Sequence, residues 1–270
     1  MNENPMSSKP KDSWASGDGY EPYVGRWSRL VAREFLNWLA IPAGSHWLDV
    51  GCGTGALSQT ILQFAEPAKI KGIDRSEGFI TFAKERTQDS RVQFDVGDAE
   101  ALTADSGTFD VAVSGLVLNF IPQPDRAVAE MTRVTRSGGV VAAYVWDYAG
   151  RMQLIRHFFD AAVALDRNAY ELDEGRRFPI CQPDALSQLF ESAGLHNVEV
   201  RPIEVATVFR DFDDYWFPFL EGQGPAPSYA MSLSDEHRAA LCERIRAGMP
   251  FASDGSIPLV ARAWTVRGLH

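Results

Sequence analysis

The sequence is poor in cysteine and has no long apolar run. Its 270 residues include only three cysteines, Cys52, Cys181 and Cys242, and no Cys-x-x-Cys pair, so it suggests neither a zinc cluster nor a disulfide framework. No apolar stretch approaches the ~18 residues of a membrane span, and the first residues lack the pattern of a secretory signal. We therefore expect a cytoplasmic protein with no metal site and no membrane span.

Basic charge is also scarce. The chain has 26 Lys and Arg against 36 Asp and Glu, a net charge of -10, which is the opposite of the charge balance that nucleic-acid binding needs. The hydrophobic share of 45% and the charged share of 23% are ordinary for a globular protein. We expect a small-molecule ligand, no nucleic acid, and a monomer or homodimer.

Short apolar strands alternate with amphipathic helices through the first half of the chain. This alternation predicts an α/β fold with a parallel sheet and helices on both faces. The predicted helices are 27–39, 56–64, 78–86 and 125–136, and the predicted strands are 46–50, 68–73, 92–96, 109–113 and 140–146.

The second half has a different pattern, with predicted helices over 154–165, 183–193 and 235–247 and strands over 198–209 and 259–266. The strand over 198–209 changes parity at Pro202, which predicts an edge strand with a bulge at that residue. An aromatic stretch beside a Gly-Pro loop, residues 211–233, is interpreted as core or as a substrate lid. We expect a flexible segment over 1–19 and a single domain over 20–270.

Three glycines, Gly51, Gly53 and Gly55, directly follow the first predicted strand and precede a helix. Glycine allows the backbone to turn sharply and to approach a ligand, and the helix directs its N-terminus at the same place. A ligand-binding crevice is the favoured interpretation. A tight structural turn and a dinucleotide-binding Gly-x-Gly-x-x-Gly turn remain open, since Ala56 occupies the third position of the latter.

Asp74 ends the second strand, 19 residues after Gly55. A carboxylate at this position accepts hydrogen bonds from ribose hydroxyls of an adenosine cofactor. Capping of the next helix is the alternative, but Ser76 is the better candidate for the cap.

Five segments together resemble the class I S-adenosylmethionine-dependent methyltransferases, especially the small-molecule, quinone-biosynthesis-like branch. The resemblance covers about residues 45–147 and implies a Rossmann-like sheet of seven mostly parallel strands, with an N-terminal helical cover and a C-terminal lid insertion. It also implies S-adenosylmethionine as the cofactor and S-adenosylhomocysteine as the product. The segments are Leu48-Asp-Val-Gly-Cys-Gly-Thr-Gly55, Gly72-Ile-Asp-Arg-Ser76, Gly97-Asp-Ala99, Phe109-Asp-Val-Ala-Val-Ser114 with Leu118-Asn-Phe-Ile-Pro122, and Glu130-Met-Thr-Arg-Val-Thr-Arg-Ser-Gly-Gly139.

The resemblance assigns cofactor roles to residues at the strand ends. The glycine turn would line the methionine part through backbone groups, Asp74 would hold the ribose, and Asp49 would order the turn. Further cofactor contacts are expected from Cys52 in the turn, from Arg75, Asp98 and Ala99 around the adenine, and from Ser114 and Leu116 beside the methionine. Arg26 is a candidate for the methionine carboxylate, with a solvated surface charge as the alternative.

The acceptor side is less defined by sequence. Asp147, at the end of the fifth strand, is interpreted as a general base or as a helix cap. Candidate acceptor contacts are Tyr20, Tyr23, Asn119, Trp146, Tyr148 and Trp216.

The favoured function is methyl transfer by in-line displacement to a small organic acceptor, which requires positioning in a water-poor cavity more than any covalent step. Three alternatives stay open: a non-catalytic S-adenosylmethionine-binding protein, a relative that uses the same pocket for another group transfer, and an NAD-dependent oxidoreductase. The residues leave the acceptor and the methylated atom undefined.

Overall fold

Seven strands form one sheet at the centre of the protein, in the order β3-β2-β1-β4-β5-β7-β6. The computed structural model describes residues 21–221 and 224–270, so the flexible segment predicted over 1–19 lies outside the described residues. The strands are β1 (His46–Val50), β2 (Lys69–Asp74), β3 (Val92–Val96), β4 (Phe109–Gly115), β5 (Thr135–Trp146), β6 (His196–Phe209) and β7 (Ile257–Leu269).

Ten α-helices surround this sheet in the described ranges. A π-helical turn (Glu21–Gly25) precedes the first of them, and no described helix is long and apolar enough to cross a bilayer. The helices are α1 (Arg26–Leu39), α2 (Ala56–Phe64), α3 (Glu77–Arg86), α4 (Pro124–Val134), α5 (Gln153–Leu165), α6 (Glu174–Arg177), α7 (Pro183–Ser192), α8 (Phe212–Trp216), α9 (Pro225–Ser232) and α10 (Asp235–Ala247).

The strand pairing confirms the predicted α/β fold. The first five strands pair in parallel, whereas β7 inserts antiparallel between β5 and β6. The carboxyl ends of β1 to β5 therefore lie along one edge of the sheet, where open α/β sheets bind ligands. The central strands read as continuous apolar runs because helices cover both faces.

Pro202 lies in the edge strand β6, as predicted, but the predicted bulge at Pro202 is wrong. The β6–β7 register is continuous from Glu199 to Phe209, and the irregularity lies between His196 and Glu199. The apolar pattern of β6 changes parity near Pro202 because a charged residue of the strand packs against α1. The Arg201 guanidinium lies 4.6 Å from the Trp38 ring of that helix. A proline is tolerated here because an edge strand has one unpaired side.

The boundary between α4 and β5 also differs from the prediction. The helix ends at Val134, not at residue 136, and the strand begins at Thr135. Thr135 pairs with Phe109 of β4, and its hydroxyl donates to the Met131 carbonyl at 2.7 Å. Tertiary pairing thus ends the helix before its apolar periodicity does.

In the aromatic stretch over 211–233, Tyr215, Trp216 and Phe219 lie in the core, as one of the two interpretations predicts, whereas Phe217 is exposed; the lid stays a prediction. Tyr215 and Phe219 have no exposed surface, and the Tyr215 hydroxyl donates to the Leu154 carbonyl at 2.8 Å. The Phe219 ring stacks on Phe158 with centroids 4.6 Å apart. Such a buried aromatic cluster anchors α8 to α5 and opposes a hinge motion. The Gly222–Gln223 pair of the loop lies outside the described residues.

Candidate cofactor and acceptor site

The glycine turn between β1 and α2 is shaped by positive backbone φ angles of 72° at Gly51, 51° at Gly53 and 83° at Gly55. These values favour glycine, because a Cβ is strained there. A Cβ on Gly51 would overlap the Val117 side chain, whereas a Cβ on Gly53 would meet no atom within 4 Å. The turn therefore packs closely on the loop after β4 and leaves open space beside Gly53.

Asp74 joins the glycine turn to the end of β2. Its Oδ2 accepts from the Gly53 amide at 3.0 Å, and its Oδ1 accepts from the Ser76 amide at 2.9 Å. The Ser76 hydroxyl caps α3 by accepting from the Phe79 amide at 3.3 Å. Burial raises the pKa of Asp74. Each carboxylate oxygen still has capacity to accept a hydrogen bond from a ligand.

Asp49 lies beneath the turn but holds the next helix instead of the turn itself. Its Oδ2 accepts from the Ser58 hydroxyl of α2 at 2.7 Å, and its Oδ1 is buried with no partner among the described residues. Burial raises its pKa to about 7, and the nearby Asp74 carboxylate adds to this rise. A buried carboxylate oxygen without a partner is expensive, so this atom points to a missing donor or cation.

The stability of the cofactor-free protein should depend on Asp49. The pKa of its carboxyl is about 7 in the folded protein against an ordinary value of 3.8, so the folded state binds the proton more tightly. The contribution to stability is then complete below pH ~4 and is lost as the pH rises toward ~7. We expect urea unfolding to show a smaller loss of stability over this window for Asp49→Asn than for the wild type. Equal pH slopes for the two proteins would contradict the assignment.

The remaining cofactor candidates line the same edge of the sheet. Cys52 is buried and burial raises its thiol pKa, whereas Arg75 is exposed. Asp98 accepts from the Glu100 amide at 2.9 Å and lines a cavity of about 390 Å³ below the loop after β3, and Ala99, next to it, is half-buried. This cavity adjoins the predicted adenine side and does not include the glycine turn.

The end of β4 closes the site from the other side. The Ser114 hydroxyl donates to the Val50 carbonyl at 2.9 Å and has no exposed surface. Leu116 adopts a φ of 63°, and its amide donates to the Tyr144 carbonyl at 2.8 Å. A non-glycine residue held in this left-handed region costs ~1–3 kcal/mol, and such strain is concentrated at functional sites.

Arg26 lies elsewhere than its predicted position near a carboxylate ligand. Its Nη1 forms a 2.9 Å ion pair with Asp214 Oδ1 of α8, and the guanidinium lies 4.5 Å from the Trp27 ring and 4.8 Å from the Phe209 ring. The contact ties the start of α1 to α8. The structure thus gives Arg26 a protein partner, which neither of the two sequence interpretations included.

Asp147 closes the turn before α5 and forms an ion pair with Arg262. Its Oδ2 lies 2.6 Å from Arg262 Nη2 and accepts from the Arg151 amide at 2.7 Å, and its Oδ1 accepts from the Gly150 amide at 3.1 Å. These interactions occupy the carboxylate. Both amides belong to the turn before α5, whose N-cap is Met152 with no side-chain cap, so Asp147 does not cap the helix, and its occupied oxygens leave no free pair for a general base.

The two tryptophans among the acceptor candidates lie in the core. Trp146 is 2% exposed within β5, and the Trp216 ring lies 6.0 Å from Phe219. Trp216 also lines a surface depression together with Leu220, Arg238 and Cys242, which contains no residue of the glycine turn. Tyr20 lies outside the described residues.

Tyr23, Asn119 and Tyr148 are buried at the same edge as the strand ends. The Tyr23 hydroxyl and both amide atoms of Asn119 have no hydrogen-bond partner within the described ranges. The Tyr148 ring packs on Phe178 at 5.7 Å, and the ring of Phe120, which follows Asn119, packs on Phe178 at 5.1 Å. The arrangement combines aromatic walls with unpaired polar atoms.

Comparison with known proteins agrees with this geometry. A family model described as a methyltransferase domain matches residues 48–143, which contain the glycine turn, Asp74 and the end of β4. Residues 48–143 form a class I methyltransferase domain. The methyl donor of this domain is S-adenosylmethionine.

The relatives of the methyltransferase domain fit the same assignment. The demethylmenaquinone methyltransferase of Staphylococcus carnosus is 29% identical over 187 residues, which cover 65% of this chain and 76% of that protein. A methyltransferase from an antibiotic biosynthesis pathway of Anabaena variabilis has the same fold, with a TM-score of 0.61, 18% identity, and coverage of 87% of this chain and 96% of that one.

A third relative is phosphoethanolamine N-methyltransferase 2 of Haemonchus contortus, in complex with S-adenosyl-L-methionine. Its TM-score is 0.56 at 16% identity, and the match covers 89% of this chain and 51% of that one. At these identities the two solved structures establish the fold alone.

Glu174 is a buried acid of this region that sequence reasoning missed. It is 2% exposed, lies on the short helix α6, and has one carboxylate oxygen without a partner in the described part of the chain. A lone glutamate in a charged stretch, Asp173-Glu-Gly-Arg-Arg177, looks like a solvated surface acid. One feature of the sequence indicates a helix start here: Asp173, a residue type that caps helices, lies two positions before a glycine.

Proposed function

We propose that this protein holds S-adenosylmethionine with Asp49, Asp74 and the glycine turn, and transfers its methyl group to a small aromatic acceptor. The observation that carries the cofactor assignment is the unpaired Oδ1 of Asp49, buried next to the Asp74 carboxylate and below the open space at Gly53. A buried carboxylate beside a half-buried one suits a ligand that carries positive charge and hydroxyl donors.

In this proposal, different residues contact different parts of the cofactor. Asp74 accepts from the ribose hydroxyls while it keeps the Gly53 amide in place. Asp49 faces the cationic methionine end, and the backbone of Gly53 borders the ligand without a side chain in the way. Asp98 and Ala99 border the adenine, beside the cavity below the loop after β3.

When bound, S-adenosylmethionine supplies an electrophilic methyl group on a positively charged sulfur. The chain itself has to exclude water and to hold the acceptor atom in line with that methyl group, and alignment of this kind accounts for much of the barrier reduction in such displacements. The buried walls formed by Phe120, Tyr148 and Phe178 provide a water-poor surface for an aromatic ring.

Loss of the Asp74 carboxylate should weaken cofactor binding. In calorimetric titrations with S-adenosylmethionine we expect Asp74→Ala to raise the Kd at least tenfold, because a hydrogen bond to a charged group contributes ~1.5–3 kcal/mol. Asp89→Ala is the matched control, since Asp89 precedes β3, likewise accepts from the amide two residues on, at 2.9 Å, and pairs with Arg91 at 2.8 Å. Unchanged affinity of Asp74→Ala, at an unchanged melting temperature, would remove Asp74 from the cofactor site.

A further inference from the structure

Three buried side chains with unpaired polar atoms lie at the acceptor side of the fold. They are the Tyr23 hydroxyl, the Asn119 amide and Oε2 of Glu174. Buried polar atoms nearly always have hydrogen-bond partners, and each exception needs an explanation. Unpaired indole nitrogens also occur elsewhere in this chain, but here the unpaired atoms belong to residues at one edge of the sheet.

Contacts of the two neighbouring residues fix the position of Glu174. Asp173, the residue before it, accepts from the Gly175 amide at 2.8 Å and from both terminal nitrogens of Arg156 on α5 at 2.6 and 3.0 Å. Gly175 has no room for a Cβ, because the backbone of Tyr148 and Ala149 lies about 3 Å from where it would be. Helix α6 is therefore clamped between α5 and the end of β5.

The groups around Glu174 link it to the aromatic walls. The Glu174 carboxyl lies close enough to Tyr23 to raise the pKa of that phenol, after the larger effect of burial, and Tyr148 acts on Tyr23 in the same direction. Phe178, whose amide donates to the Glu174 carbonyl at 3.1 Å, carries the ring that packs on both Phe120 and Tyr148. One small region thus contains a carboxyl, a phenol and an aromatic wall.

The π-helical turn over 21–25 presents Tyr23 to this region. The Tyr23 ring packs edge-on against Phe219 at 5.4 Å, which fixes its direction. π-Helical turns are rare and are frequently found at functional sites. The turn therefore supports a binding role for the Tyr23 hydroxyl.

We propose that Glu174 is the catalytic base and binds a phenol-type acceptor, with Tyr23 and Asn119 orienting the acceptor's hydroxyl group. The proposal rests on the proposed function. The acceptor O–H proton moves to Glu174 Oε2, the oxygen electron pair forms the bond to the methyl carbon, and the carbon–sulfur bond breaks with its electron pair left on sulfur. The proton then leaves Glu174 for solvent when the product departs.

The environment of Glu174 suits this role. Burial, together with Asp173, raises its pKa to about 8, and this value already includes the opposing effect of Arg177 and Arg156. A base works best when its pKa is close to the operating pH and to that of the group it deprotonates, and phenols ionise near pH ~10. Cys181 is a further titratable group close to Glu174, and burial raises the pKa of its thiol above its ordinary value.

The test uses 2-naphthol, a phenol-type probe that stays largely un-ionised in water at pH ~8–9 and whose absorption band reports its ionisation, added to the full-length protein saturated with S-adenosylhomocysteine. We expect the wild type to bind the probe and to shift it toward the phenolate at pH values above ~8, where the Glu174 carboxyl is ionised. Glu174→Gln, which keeps the shape of the side chain, should retain probe binding within ~10-fold and lose the pH-dependent shift. Glu171→Gln is the matched control, because Glu171 is an exposed acid of the preceding turn, and it should behave as the wild type.

The outcomes separate this inference from the proposed function. If the wild type binds S-adenosylhomocysteine but not 2-naphthol, or if Glu174→Gln shifts the probe as the wild type does, the role of Glu174 is overturned. Lost cofactor affinity in Glu174→Gln would show a structural role and equally overturn it. If the wild type binds neither S-adenosylmethionine nor S-adenosylhomocysteine, the proposed function itself fails. Tyr23→Phe offers a second check, since it should weaken probe binding several-fold while the shift remains.

Discussion

Replacement of Arg262 by alanine should destabilise the protein by about 3–5 kcal/mol, because it leaves the buried Asp147 carboxylate without its charged partner. Arg262 Nη2 lies 2.6 Å from Asp147 Oδ2, Nε donates to the same oxygen at 2.7 Å, and the Asp147 side chain is only 3% exposed. The measurement is the free energy of unfolding in urea at pH 7.

The control for this prediction is Arg151→Ala. The Arg151 side chain pairs with Glu204 at 3.3 Å on the surface, with about half of its area exposed, so its removal should cost under ~1 kcal/mol. The backbone amide of Arg151, which donates to Asp147, is retained in that variant. Similar losses for Arg151→Ala and Arg262→Ala would contradict a special role of the buried pair. Adding Asp147→Asn to Arg262→Ala should recover part of the loss.

Gly53→Val should abolish measurable binding of S-adenosylmethionine, with a rise in Kd of about a hundredfold or more. Since no atom lies within 4 Å of a Cβ at this position, the new side chain would occupy the space that we assign to the cofactor. Its positive φ of 51° adds a backbone cost of ~1–2 kcal/mol, which acts on folding and not directly on binding.

Gly194→Val separates these two effects. Gly194 follows α7, has a φ of 81°, and also has no atom near its Cβ position. We expect both variants to lose similar stability in thermal unfolding, while only Gly53→Val loses cofactor affinity in calorimetric titration. Normal affinity of a folded Gly53→Val would place the cofactor away from this turn.

The cofactor half could be predicted from sequence because its signals are local. The glycine turn, Asp74 and Ser76 act on neighbours within about 21 residues, and each was placed by its position at a strand end. The parallel pairing of the first five strands also followed from the alternation of strands and helices along the chain. Asp49 was expected to order the turn, but its carboxylate accepts from Ser58 of α2, nine residues further along the chain, because the fold brings this side chain against the helix.

The acceptor half could not be predicted in the same way, since its contacts join distant segments. Arg26 pairs with Asp214, 188 residues away, and Asp147 pairs with Arg262, 115 residues away. Nothing in the sequence distinguishes these acids and bases from the many exposed ones. The burial of Glu174 likewise depends on α5 and β5 closing over a helix of four residues.

The sequence by itself determined the elements, the α/β fold and the strand ends that face the cofactor, because burying one face of each helix and both faces of each central strand imposes a periodicity on neighbouring residues. Only the tertiary structure decided which polar groups bond to other parts of the protein and which buried polar groups lack a hydrogen-bond partner. Long-range ion pairs engaged Arg26 and Asp147, whereas Tyr23, Asn119 and Glu174 kept buried polar atoms without partners among the described residues. That difference arises because desolvation depends on what packs around a group in three dimensions.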